Sequence, residues 1–113
     1  MENIKSELKQ MLDEPRVSIK YRKEKSEHFG QIRTDLKVDM VLENPEQKYT
    51  VELKLPEFDP EQMRAIIDFF EDTEMQLSDE TGLYFLRVCP EIIDFAYHSV
   101  HQRLSIAYKW REV

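Results

Sequence analysis

The stretch Ile32-Arg33-Thr34-Asp35-Leu36-Lys37-Val38-Asp39-Met40-Val41-Leu42 decides the fold class of this chain. Ile32, Thr34, Leu36, Val38, Met40 and Leu42 alternate with Arg33, Asp35, Lys37, Asp39 and Val41, so every second side chain falls on one side of an extended backbone. The pattern predicts a long strand with one wet face. Glu43-Asn44-Pro45-Glu46-Gln47 supplies turn chemistry, after which Tyr49, Val51, Leu53 and Leu55 resume the alternation against Thr50, Glu52 and Lys54. The reading is a β-hairpin made of these two strands.

Upstream, Val17, Ile19 and Tyr21 alternate with Ser18, Lys20 and Arg22, the signature of a half-buried strand, and the charged stretch from Lys23 to Gly30 reads as a surface loop. Ile4, Leu8, Met11 and Leu12 recur at helical spacing between Glu2 and Asp13, with Glu14-Pro15 as a stop because a residue before proline is pushed out of the α region. Downstream, Asp59-Pro60-Glu61-Gln62 predicts a helix start. Asp59 can cap, Pro60 fits the first helical position, Gln62 completes a capping box, and Phe58 can staple to Met63. Met63, Ile66, Ile67 and Phe70 then form the inward face.

Met75 and Leu77 precede a turn at Ser78 to Gly82, and Leu83 to Val88 is an apolar run that reads as a buried strand ended by Cys89-Pro90. From Glu91 onward Ile93, Ala96, Tyr97, Val100, Leu104, Ala107 and Tyr108 suit a last helix, uninterrupted by Gly or Pro. Leu104, Ile106, Tyr108 and Trp110 also alternate, so a strand from about Arg103 competes; the helix formers Gln102, Arg103 and Ala107 favour the helix. The expected architecture is one α+β domain over residues 1–113. It is two-layered, with a mainly antiparallel sheet of four to five strands and helices packed on one face. The hairpin residues Leu36, Val38, Met40, Val51, Leu53 and Leu55 are expected against Met63, Ile66, Ile67 and Phe70.

At 113 residues, 41% hydrophobic and 35% charged, the chain is large and apolar enough to bury a core. Cys89 is the sole cysteine, which rules out an intramolecular disulfide and points to a cytoplasmic home. The segment from Met1 to Leu12 is broken by Glu2, Lys5, Glu7 and Lys9, so no signal peptide is read there, and no run is long and apolar enough for a membrane span. The net charge of −7 is unevenly spread. Arg16 to Lys25 holds five basic residues against Glu24, whereas Glu57 to Glu80 holds nine acidic residues against Arg64.

Two glycines, Gly30 and Gly82, cannot furnish a P-loop, a dinucleotide fingerprint or a nucleophile elbow. Asp94, His98 and His101 would share one stripe of a helix and could offer a metal two imidazoles and a carboxylate, but no further ligand cluster completes a site; a pair of surface histidines is the plainer reading, and no metal or cofactor is expected. Cys89, at a strand end without a neighbouring base, reads as a small apolar residue, and no catalytic residue is expected. Lys20, Tyr21, Arg22 and Lys23 could track a phosphate backbone with the tyrosine stacking a base, although the same charges suit the exposed side of an edge strand.

The function expected from these residues is that of a non-enzymatic interaction protein, an inhibitor, adaptor or subunit that binds a protein partner. An acidic surface around Asp68, Glu71, Asp72 and Glu74 would occupy a basic groove, for instance on a nucleic-acid-handling protein. Nucleic-acid binding through residues 16–25 is the alternative, and a small hydrolase or metal-dependent enzyme a more distant one.

Overall fold

The computed structural model describes residues 2–113, with side chains from Ile4 onward. In chain order it contains α1 (Glu2–Met11), β1 (Val17–His28), β2 (Gln31–Leu42), β3 (Tyr49–Lys54), α2 (Pro60–Asp72), β4 (Met75–Ser78), β5 (Phe85–His98) and β6 (Arg103–Glu112). The protein is α+β, with all strands in two antiparallel sheets: β1 with β2, and a curled four-stranded sheet in the order β3-β6-β5-β4. Among the described residues no helix is long and apolar enough to cross a membrane.

The core lies between the four-stranded sheet and the two helices. Along β6, Leu104, Ile106, Tyr108 and Trp110 are all 2% exposed or less, and they meet Leu8 of α1, Ile66 and Phe70 of α2, and Val51 and Leu53 of β3. Such a run of branched and aromatic side chains is what a pleated, half-buried surface accommodates best. Helix α2 begins as its residues dictate: the Asp59 carboxylate accepts from the Gln62 backbone N–H at 2.9 Å, and the Gln62 side chain accepts from the Asp59 N–H at 3.2 Å. Among the described residues no buried side-chain polar atom lacks a partner.

Three expectations are corrected. First, β2 and β3 do not form a hairpin. β2 pairs along its whole length with β1, from Val17 opposite Leu42 to His28 opposite Gln31, while β3 pairs with β6 from Tyr49 opposite Tyr108 to Lys54 opposite Arg103. Asn44 and Gln47 still close a turn at 3.1 Å, but that turn carries the chain from one sheet to the other. Second, the charged stretch after Arg22 is strand as far as His28, held by ladder bonds that need no apolar side chains. Leu36, expected in the core, is 62% exposed.

Third, the last segment is a β-hairpin and not a helix. β5 runs through Pro90 to His98, turns at 99–102 and returns as β6. Two features hide this in the sequence. A bulge between Ile92 and Asp94 breaks the alternation, so that Ile92 and Phe95 share a face three residues apart. The turn closes on Gln102 at φ 53°, where a glycine would be the usual marker. Proline survives within β5 because β4 pairs only with Phe85–Val88, leaving the outer edge of β5 without a neighbour from Cys89 on. The expected single sheet with helices on one face is thus replaced by a helix-covered sheet and a separate two-stranded ribbon.

Candidate interaction surface

The ribbon is the feature that sets this molecule apart. Its base belongs to the core: Met40 and Leu42 are buried, and the Glu43 N–H donates to the Arg16 carbonyl at 3.0 Å. The preceding linker is clamped to β6 by two side chains. The Tyr108 hydroxyl accepts from the Asp13 N–H at 3.0 Å, and the Trp110 indole N–H donates to the Asp13 carbonyl at 2.8 Å. Burial pushes the Tyr108 phenol above its ordinary 10.0. Beyond Ile19 and Met40 the two strands leave the body. The Cα envelope measures 69 × 23 × 20 Å, and the distal arm from Lys20 to His28 accounts for roughly 27 Å at 3.4 Å per residue.

At the tip, Phe29 and Gly30 form a two-residue turn with φ 51° and 75°. Both central residues being left-handed matches the twist of the flanking strands, and glycine accepts this freely. Phenylalanine does not: a bulky residue held there costs of order 1–3 kcal/mol. Its ring is nonetheless 93% exposed, resting only against His28 at a centroid distance of 4.3 Å. No contact with the body offsets that strain.

Directly opposed residues share a face, so the register sorts the arm into two. One face carries Tyr21, Val38, Leu36 and Ile32 together with Lys23, Lys25, Thr34 and Glu27. It continues the buried face of Val17, Ile19, Met40 and Leu42 outward into solvent, with Tyr21 67% and Ile32 74% exposed. The other face is polar, and there Arg22 bonds to Asp39 and Glu24, which hold its guanidinium pKa above the ordinary value. From Arg16 to Asp39 the chain has seven basic and four acidic residues, whereas the remainder has nine basic and nineteen acidic. A mildly basic arm stands on an acidic body.

The body has a complementary feature. Past Val88, where β5 loses β4 as a neighbour, an open groove of about 370 Å³ runs between α2 and the free edge of β5, lined by Ile67, Phe70, Pro90, Ile92 and Phe95. Cys89, Glu71, Glu91 and Arg111 complete it, with Arg111 paired to Glu91 at 3.4 Å. Among the described residues no cation pairs with Asp68, Glu71 or Asp72. Glu71 and Asp72 occupy the last turn of α2, which contains no basic residue, although the helix dipole disfavours acids at that end.

Lys20, Tyr21, Arg22 and Lys23 therefore lie on the projecting arm and not on the edge of a packed sheet, and they divide between its two faces. Asp68, Glu71 and Asp72 lie on α2, where Glu71 lines the groove and Asp68 and Asp72 turn away from it, while Glu74 sits outside the helix and pairs with Arg87. Asp94, His98 and His101 share no helix. Asp94 and His98 sit on β5 about 13 Å apart along the strand, His101 is in the turn, and no metal-holding group occurs among the described residues. Cys89 is buried beneath the groove. The tip Phe29 and the exposed face of Tyr21, Leu36 and Ile32 were not foreseen. The signal was present in Phe29-Gly30, an X-Gly pair between two alternating runs.

Compared with protein-family models, with curated proteins and with solved structures, the chain matches none of them.

Proposed function

We propose that this chain is a non-enzymatic interaction protein, an inhibitor, adaptor or subunit, whose recognition element is the β1–β2 arm and whose partner is a protein. The observation that carries this reading is the apolar face that runs from the half-buried Val38 through the exposed Tyr21, Leu36 and Ile32 and ends in the strained and exposed Phe29. Aromatic and aliphatic side chains held in solvent on a projecting ribbon are the composition of an interface anchor. A two-stranded ribbon of this length is marginal on its own and is stabilised when its apolar face is covered.

Nucleic-acid binding through the same arm is the second reading, favoured by its basic balance. Against it stand four acidic residues interleaved with the cations, and Arg22 already engaged by Asp39 and Glu24. Too few cations remain to release many counterions from a phosphate backbone. A photo-crosslinking residue in place of Leu36, activated in the native host, tests the choice. A protein adduct is expected. A nucleic-acid adduct, with salt-sensitive binding lost when Lys20, Arg22 and Lys23 are reversed, would replace this reading by the second.

A further inference from the structure

We infer that the surface that receives the arm is the α2–β5 groove of a second copy of this chain, so that two molecules exchange arms reciprocally. The inference rests on the reading of the arm as a protein-binding element and adds the identity of its receptor. Three observations carry it.

The first is charge. Arg16 to Asp39 has three more basic than acidic residues while the rest of the chain has ten more acidic than basic, so the arm of one copy is attracted to the body of another. The match is also local. Lys23 and Lys25, with Glu27 nearer the tip, lie on the same face as Tyr21, Leu36 and Ile32, and the groove sets Glu71 beside Ile67, Phe70 and Phe95. Apolar contacts and opposite charges are thus presented together on both surfaces.

The second is reach. The distal arm extends about 27 Å, and the molecule is 23 by 20 Å across its two shorter axes, so one arm spans the width of a neighbouring body. Directed away from its own body, it cannot lie in its own groove. The third is the free backbone edge. β5 has no neighbour on its outer side beyond Val88, and both outer edges of the arm are likewise unpaired. A strand edge from the arm laid alongside β5 would pair with its backbone on either side of Pro90, which has no N–H to donate. Reciprocal docking uses the same patch on both copies and closes as a two-fold dimer, which would cover the exposed apolar face of the ribbon.

Sedimentation equilibrium of the purified full chain tests this, with circular dichroism confirming that each variant is folded. The wild type is expected to dimerise. Ile32→Ser with Leu36→Ser, at positions exposed in the monomer, should abolish dimerisation without unfolding the protein. Lys23→Glu with Lys25→Glu should weaken it by about tenfold, as should Glu71→Lys with Asp72→Lys. All four reversals in one chain should restore it, and added salt should weaken the wild type but leave the Ser variant unchanged. A wild type that stays monomeric, a dimer indifferent to the arm substitutions, or a lack of rescue would each overturn the exchange. A monomer that still crosslinks through position 36 to a different protein in the host would leave the arm's protein-binding role standing and remove only the second copy as its receptor.

Discussion

The arm and the body are both antiparallel sheet with alternating side chains, yet they obey different rules. In the body, Leu53, Leu104 and Ile106 are 1% exposed or less, because two helices cover the face they occupy. In the arm, Leu36 and Ile32 have the same chemistry and alternation but are 62% and 74% exposed, because nothing covers them. Body strands persist through hydrophobic burial. Arm strands persist through a continuous backbone ladder, a tip turn of the right hand and a base rooted in the core by Met40 and Leu42. Alternation therefore creates an apolar face without determining whether that face is filled. An apolar face left empty in one molecule is available to another.

The largest expected effect breaks the comparison at a buried position. Leu53→Asp places an uncompensated charge at a site with 1% exposure and should unfold the body, costing more than about 4 kcal/mol. Leu36→Asp should leave the denaturation midpoint of the monomer within about 0.5 kcal/mol of wild type. Chemical denaturation of both variants, at concentrations below self-association, decides it; equal losses would mean that the arm is packed against the body.

A smaller effect tests the joint between the regions. Tyr108→Phe removes the acceptor of the Asp13 N–H and should cost about 1–2 kcal/mol. Because the folded phenol ionises above its ordinary 10.0, the hydroxyl's contribution is complete below that value and declines as pH rises through the higher folded value. Wild type should accordingly lose stability more steeply than Tyr108→Phe above about pH 10, as thermal melts across alkaline buffers would show. Parallel curves would mean that the phenol is not the titrating group.

Next in size is the start of α2, a purely local feature of the body. Asp59→Ala removes one partner of the capping box and should lower stability by about 1 kcal/mol, read from the denaturation midpoint. The smallest effect is at the tip. Phe29→Asn replaces a strained residue by one that tolerates the left-handed turn, and should add up to about 1 kcal/mol to the ordering of the arm, seen as slower amide exchange in β1 and β2. If partner binding uses Phe29, the same substitution weakens it, so a firmer arm with poorer binding is the expected pairing.

The sequence by itself determined the elements whose cause is local. The capping box of α2, its inward face of Ile66 and Phe70, the strand at Ile32 to Leu42 and the strand at Tyr49 to Lys54 all follow from residues within a few positions of one another. The charged regions around Lys20 and Glu71 were legible too, since charge is additive along a chain. Tertiary structure decided which strand lies beside which, because alternation records the face of a side chain and not the neighbour that accepts its backbone hydrogen bonds. It also decided β5 and β6, where the bulge at Ile92 to Asp94 and the left-handed Gln102 remove the two local signs of a hairpin. The candidate surface depended wholly on that pairing: Tyr21 and Leu36 come together only because β1 turns back on β2, and the edge beside the groove is free because β4, starting at Met75, reaches no further along β5 than Val88 while β5 continues to His98. Packing between distant segments is a property of the assembled chain, and a single window of residues contains neither of its two sides.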